Sequence, residues 1–182
     1  MPMAKLMILR HAPPLSDGRL AGRTDVAADC SDGAACDWMR ARIGVSGEVL
    51  CSPARRCRQT AAALGLAPDR TCDWLWEQDF GIWEGLAYDA LPDLGALPPA
   101  GLAAHRPEGG ESFDDMAARI HAGISGLDHD ALLVAHAGTV RAALALVVGP
   151  AALSFSVAPL SLTVLRRAGA GWAVEAVNVT AP

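Results

Sequence analysis

The sequence predicts an α/β fold: three layers, α/β/α, around a mainly parallel but mixed sheet closed by an antiparallel hairpin. Three observations lead there. Short apolar runs at residues 5–11, 48–52 and 131–136 read as buried strands. Helical segments separate them, and strands alternating with helices imply parallel pairing with both sheet faces covered. Near the C-terminus, "SLTVLRR" and "GWAVEAVNV", joined through Ala168–Ala170, read as the hairpin. The expectation is one domain over residues 1–182, with a small loop-rich cap around 75–110.

In chain order, "KLMILRH" (5–11) is the first strand, stopped by Pro13 and Pro14. A polar loop with an Asp17-Gly18 turn and "AGRTD" leads to a helix over about 34–43. "EVLCS" (48–52) is the second strand and runs into "SPARRCRQT", where Ser52 suits an N-cap and Pro53 the first helical position. Arg55, Arg56 and Arg58 crowd the first turns of that helix, although a helix N-terminus favours Asp or Glu. "RTCDW" (70–74) is a third, weaker strand. Residues 75–110 are rich in glycine and proline, with a short helix expected near 88–94. Ser112, with Asp115 at the capping-box position, starts an amphipathic helix whose stripe is Met116, Ile120, Ile124 and Leu127. "ALLVAH" (131–136) is a strong strand, and "TVRAALALVV" (139–148) a mostly apolar helix.

Composition removes several function classes. A formal net charge of -5 argues against a broad nucleic-acid-binding face. The five cysteines, Cys30, Cys36, Cys51, Cys57 and Cys72, form no CxxC pair and are odd in number, so neither disulfide scaffolding nor structural zinc is expected. Free thiols fit a reducing cytoplasm. "MPMAKLMILRHAPP" has too short an apolar run for a signal peptide. "AALALVVGPAAL" is broken by Gly149 and Pro150 and is too short to span a bilayer. The expectation is a soluble cytoplasmic protein without membrane or nucleic-acid partners.

The chemistry gathers where strands end. The first strand ends in Arg10-His11, the second leads to Arg55-Arg56, and the 131–136 strand ends in His136. Ligands of open α/β sheets sit beyond the carboxyl ends of the strands, so these groups converge on one crevice. Helices starting after Ser52 and around Ala137-Gly138 aim their N-termini at the same space. Guanidinium forks match phosphoryl oxygens in a bidentate way that lysine cannot. The ligand expected is therefore a phosphoryl group.

At these residues the chain resembles a family. "LRHA", "SPARRCRQTA", "EQDFGIWEG", "GGES" and "VAHAGTVR" occur in the order found in the histidine phosphatase superfamily, the phosphoglycerate mutase-like fold. The resemblance runs from Lys5 to the final hairpin. It implies that His11 is the nucleophile, that Arg10 and Arg56 bind the phosphoryl oxygens with the helix start at Ala137, and that His136 donates a hydrogen bond to them. It further implies that Glu77 protonates the leaving oxygen. Glu84 and Asp79 are the rival acids. No cofactor and no metal are implied, and the partner is a small-molecule phosphomonoester, with a homodimer as the candidate assembly. "GRTD" with "DFGIWEG" and "GGES" looks most like the α-ribazole phosphatases of cobalamin synthesis, which makes Gly22, Arg23 and Trp83 candidate substrate contacts.

Other residues have plainer readings. His105, His121 and His129 lie outside the motifs and read as surface or loop residues. Trp74, Trp76 and Trp83 read as packing, Trp83 being nearest the expected pocket. "GGES" reads as a turn and a helix cap. Two departures matter: Ala12-Pro13 stands where the family usually has Gly after the nucleophile, and "APP" replaces the polar residues that follow. Those polar residues help hold a carboxylated substrate, so their absence favours a phosphatase over a mutase. The remaining alternatives are a phosphoglycerate mutase, a broad-specificity sugar phosphatase, a protein phosphohistidine phosphatase and, in a different class, an inactive phosphate-binding module.

Overall fold

Alternation along the central strands divides the core in two. The structure, a computed structural model, describes residues 4–44 and 47–182. Its six strands are β1 (Lys5–Arg10), β2 (Glu48–Cys51), β3 (Arg70–Thr71), β4 (Ala131–Ala135), β5 (Leu162–Ala168) and β6 (Gly171–Val179), in the order β3-β2-β4-β1-β5-β6. Leu6, Ile8, Leu133 and Ala135 point to one face, and Met7, Leu9, Leu132 and Val134 to the other. The first face is covered by α3 (Pro99–Ala104), α4 (Phe113–Ser125) and α5 (Ala137–Val148). The second is covered by α1 (Gly33–Ile43) and α2 (Arg55–Ala63). A strand buried on both sides needs apolar side chains at every position, which is why "ALLVA" and "LMIL" lack polar alternation.

β3, β2, β4 and β1 run parallel, β5 runs antiparallel to β1, and β6 returns antiparallel to β5. The sheet is thus mixed through a closing hairpin, as expected. The register decides where the chemistry falls. Arg10 lies opposite Ala135, and Cys51 opposite Val134, so the residues just beyond β1, β4 and β2 emerge side by side.

Several elements depart from expectation for identifiable reasons. β3 is only two exposed residues at the sheet edge, and Asp73–Leu75 turns into a 3-10 helix that buries Leu75. Residues 88–90 form one 3-10 turn, while the unforeseen helix α3 begins at Pro98-Pro99, a proline start suited to a missing N–H. Ser52 does not cap α2, whose N-cap is Ala54; the first-turn N–H of Arg55 is met instead by Asp25 Oδ1 at 2.6 Å, from a loop thirty residues earlier. α5 starts at Ala137, two residues before the apolar run suggested. Ala137–Ser154 is long and apolar enough to pass for a membrane span by length and composition alone; here Val140, Ala142, Ala143 and Leu144 lie fully buried in the core. All five cysteines are free thiols. The leader reading rests partly on residues 1–3, which lie outside the described residues.

The capping box on α4 is complete: Ser112 Oγ accepts from Asp115 N at 3.1 Å, and Asp115 Oδ2 accepts from Ser112 N at 2.8 Å. Ser112→Ala is expected to lower stability by about 1 kcal/mol, read as a lowered midpoint in urea unfolding. An unchanged midpoint would show that the box contributes nothing.

Candidate active site

Two buried imidazoles stand at the strand ends. His11 follows β1, where its backbone N–H donates to Ala135 O at 3.0 Å, and His136 follows β4. Their ring centroids are 5.2 Å apart with the planes 69° from parallel. His11 Nδ1 lies 2.7 Å from the Ala12 carbonyl, and a carbonyl only accepts, so Nδ1 carries the proton. Nε2 is then the lone-pair nitrogen. Arg56 Nε donates to it at 3.2 Å, consistent with that tautomer. Burial, joined by the charges of Arg56 and Arg10, pushes the His11 imidazole down to about 3. A neutral, single-tautomer imidazole is a nucleophile at ordinary pH.

His136 is fully buried, and its basicity is driven well below the ordinary histidine range by desolvation and then by Arg56. Ser52 Oγ meets its Nε2 at 2.9 Å, and Cys57 Sγ lies 3.5 Å from the same nitrogen. The Cys57 thiol is itself pushed far up by burial, so it is a packing group there and not a thiolate.

Arg56 is a buried cation held from three sides. Besides His11, its guanidinium donates to Gly22 O at 2.6 Å and Thr24 O at 3.0 Å. The loop offering those carbonyls is pinned by Glu84, which accepts from the backbone of Arg23, Thr24 and Phe80 and from the Thr24 hydroxyl. Gly22 is needed at that pin: its φ is +53°, and a Cβ would sit 2.3 Å from Glu84 Oε1. Arg10 donates to Val157 O, and its Nε is buried without a partner among the described residues. Arg55 and Arg58, by contrast, are exposed. The crowding of arginines at the start of α2 thus serves one inward guanidinium, and the helix end is satisfied by Asp25.

Glu77 approaches from the long loop. Its Oε2 accepts from Gly138 N in the first turn of α5 at 3.3 Å, where the helix N-terminus favours a carboxylate. A Cβ at 138 would lie 2.0 Å from Glu77 Oε1, so a side chain there would displace that carboxylate. Arg119 of α4 holds the loop backbone by donating to the carbonyls of Trp74, Trp76 and Glu77 at 2.8, 2.8 and 3.1 Å. Arg119 is paired in turn with Glu111, which also accepts from Asp79 N at 3.1 Å. "GGES" therefore ties two loops together, beyond turning the chain. The rival acids are occupied, Glu84 as above and Asp79 Oδ1 by Gly81 N at 2.9 Å.

These groups surround a cavity of about 280 Å³ lined by Arg10, His11, Gly22, Arg56, Glu77 and Ala137, together with Pro14, Leu20, Ala21, Phe80, Tyr88 and Arg141. His136 is not on its wall and lies buried beside His11. Arg23 lies off the wall, reaching Glu111 at 3.4 Å, and Trp83 lines a neighbouring cavity, stacked on His105. Ala12, at the departure from the family pattern, turns its N–H to Thr60 Oγ1 at 2.9 Å. His121 bonds the Ala142 carbonyl and His129 the carboxylates of Asp128 and Glu48, as structural histidines.

A family model for the histidine phosphatase superfamily (branch 1) matches residues 6–180. The chain belongs to this superfamily. Among curated relatives, the bifunctional protein Rv2228c of Mycobacterium tuberculosis and the uncharacterized protein Mb2253c of Mycobacterium bovis are each 34% identical over 149 residues, 74% of this chain. The chain spans 38% of the length of those relatives. Among solved structures, mycobacterial hydrolase 2 superposes with a TM-score of 0.86 at 25% identity, over 100% of this chain and 93% of that one. The mycobacterial glucosyl-3-phosphoglycerate phosphatase Rv2419c gives 0.80 at 26% identity, over 98% and 100%. The Thermus thermophilus protein TTHB049 gives 0.76 at 28%, over 88% and 92%.

Sequence reasoning singled out neither Arg141, Tyr88 and Phe80 on the cavity wall nor Arg119 behind it. Arg141 lies in the quoted "VAHAGTVR" block one turn after Ala137, a spacing that puts both on one helix face. Tyr88 and Phe80 come from irregular loop, and Arg119 from the polar side of α4; no periodicity marks any of them.

The histidine environment has a stability signature. His11 folds with its proton affinity far below the ordinary 6.5, so the unfolded chain takes up the proton first as pH falls. Stability is therefore complete above about 6.5 and is lost as pH falls from there towards 3, and His136 acts in the same direction. Each histidine contributes a limiting slope of about 1.4 kcal/mol per pH unit. Urea unfolding between pH 6.5 and 5 should show this decline, and His11→Asn should reduce its slope by about one proton. Equal slopes in wild type and variant would contradict the buried neutral imidazole.

Proposed function

We propose that the chain is a phosphomonoesterase working through a phosphohistidine at His11. The observation that carries this reading is the cavity itself: His11, whose Nε2 lone pair accepts from Arg56, lines it together with the Arg10 and Arg56 guanidinium groups and Glu77. In the resting site Arg56 donates to that lone pair. A phosphate dianion is the stronger acceptor, so its arrival draws the guanidinium onto phosphoryl oxygens and frees Nε2 to attack. Arg10 Nε, buried and unpaired, gains a partner by the same event. The N–P bond forms as the P–O bond to the alcohol breaks; Glu77, which enters this step as the carboxylic acid, gives its proton to the departing oxygen and is left as the carboxylate. Water then attacks phosphorus with Glu77 as base, and inorganic phosphate leaves.

His136 stands behind the nucleophile as a neutral, fully buried ring, with Ser52 Oγ at its Nε2 and its centroid 5.2 Å from that of His11. Its role as hydrogen-bond donor to the phosphoryl group is carried over from the family resemblance. Ala137 and Gly138 add the helix N-terminus to the same charge. Arginines supply the positive charge that a metal would otherwise provide. Among the described residues no group of three His, Cys, Asp or Glu side chains could hold a metal ion.

The whole chain acts as one histidine phosphatase domain with residues 75–110 as a cap over the cavity. Its substrate is a small phosphorylated metabolite, for which α-ribazole 5′-phosphate is the candidate from the sequence motifs. Glucosyl-3-phosphoglycerate comes from the name of a structural neighbour. We place the protein in the cytoplasm on its free thiols. The phosphatase reading is favoured over the inactive module because Glu77 and the nucleophile face one cavity.

Hydrolysis should persist in EDTA and be inhibited by vanadate, and dependence on added Mg²⁺ or Zn²⁺ would contradict the arginine cradle. Glu77→Gln separates acid from cradle. A general acid is worth about 10²–10⁴-fold where the leaving group is poor. The variant should lose that factor in phosphorylation by an alkyl phosphate yet retain it with p-nitrophenyl phosphate, whose phenolate leaves unaided. A burst of nitrophenol should then precede a slow steady state, because the same carboxylate activates water. Equal slowing of both phosphorylation steps in single-turnover kinetics would remove Glu77 from the acid's role.

A further inference from the structure

Each ring nitrogen of His11 has a partner, the Ala12 carbonyl at Nδ1 and the Arg56 guanidinium at Nε2. One buried hydroxyl joins those two partners. Thr60 lies on α2, one turn after Arg56, and is fully buried. Its Oγ1 accepts from Ala12 N at 2.9 Å and donates to the Arg56 carbonyl at 2.7 Å. Returning a hydroxyl to the carbonyl four residues back is ordinary for a threonine inside a helix. Accepting from a backbone N–H forty-eight residues earlier, on the loop beyond β1, is not.

The bonds close into a ring around the imidazole. His11 Nδ1–H donates to Ala12 O, Ala12 N–H to Thr60 Oγ1, Thr60 O–H to Arg56 O, and Arg56 Nε–H to His11 Nε2. A hydroxyl has one proton and two lone pairs, so Thr60 fills both of its places at once. The tautomer of His11 follows the direction of the Ala12 carbonyl, and that direction follows the setting of the Ala12 backbone. Pro13 restricts Ala12 from its C-terminal side. Thr60 holds it from the N-terminal side. Without this acceptor the N–H of a buried residue would lose its partner, and the Ala12 peptide would turn to find another.

We infer that Thr60 is a positioning residue for the nucleophile: its hydroxyl sets the Ala12 carbonyl that fixes the His11 tautomer, and ties it to the helix turn that carries Arg56. Thr60 acts through these neighbours, since it does not line the phosphoryl cavity. Its effect on the tautomer stands on the hydrogen bonds alone, whereas its effect on turnover rests on the phosphomonoesterase reading.

Nitrogen NMR of histidine-labelled protein near neutral pH reads the tautomer, because protonated and lone-pair ring nitrogens resonate far apart. The His11 signals, assigned by their loss in His11→Asn, should show Nδ1 protonated and Nε2 bare in wild type. Thr60→Val keeps the shape and removes the hydroxyl. It should mix the two tautomers and lower kcat for p-nitrophenyl phosphate by about tenfold, since misplacing a reacting group costs up to about 10²-fold. KM should change little, because Arg10 and Arg56 still meet the phosphate. Thr60→Ser restores the hydroxyl and should restore the single tautomer and most of kcat. If Thr60→Val does not fold, Thr60→Ala, which leaves room for a water at the Ala12 N–H, takes its place under the same criteria. A threonine that only supports the fold would lower thermal stability without moving the tautomer. A single Nδ1–H tautomer in the hydroxyl-free variant therefore overturns the inference whatever its activity, as does failure of Thr60→Ser to rescue. Mixed tautomers with kcat unchanged would remove Thr60 from catalysis while leaving the phosphatase reading intact. If wild type hydrolyses no phosphomonoester, that reading falls, and the tautomer alone decides what Thr60 does.

Discussion

One buried imidazole organises this protein. His11 sits beyond β1 with Nδ1–H given to its neighbour's carbonyl and Nε2 facing Arg56. Placing an uncharged ring beside two guanidinium groups creates a region of unbalanced positive charge inside the fold. Such a region costs stability unless backbone carbonyls surround the cations, and they do: Gly22, Thr24 and Val157 all turn their oxygens inward. The cavity is therefore held ready for an anion by dipoles that cannot neutralise it. Preorganised positive charge of this kind needs little rearrangement when charge develops on a transferring group.

The rigid and the irregular parts of the chain divide the work. Parallel strands β1, β4 and β2 deliver His11, His136 and Ser52 at adjacent positions, and the register leaves no freedom there. Glu77 has no strand to carry it. Its loop is held instead by Arg119, Glu111 and the start of α5, and the Gly22–Thr24 loop by Glu84. Glu84, which looked like a rival acid, thus positions the loop whose carbonyls hold Arg56. Charged side chains fixing loop backbone through several short bonds each are a stronger restraint than exposed ion pairs.

The layered fold was legible because its signals are local. Apolar runs too short for helices marked β1, β2 and β4, and Ser112 with Asp115 marked the start of α4. His11, Arg10, Arg56 and Glu77 were legible through ordered motifs, and the structure brings all four to one cavity. What stayed hidden depends on contacts distant in sequence. Asp25 completing α2, Arg119 gripping the Glu77 loop and His105 stacking on Trp83 each join segments tens of residues apart, and no periodicity reports such pairings. The reading of Ser52 as a helix cap failed because α2 starts only at Arg55: Ser52 Oγ meets His136 Nε2 at 2.9 Å and accepts from Ala54 N at 3.3 Å, ahead of the helix.

The central claim is that the phosphoryl group passes through His11 Nε2, and a chemical quench tests it most directly. Wild-type protein mixed with p-nitrophenyl phosphate and stopped during the first turnover should carry one phosphoryl group, labile in acid, stable in base, and located by peptide mass spectrometry on His11. Full turnover with no phosphorylated protein, or a base-labile phosphoryl group on Ser52 or another hydroxyl, would contradict it.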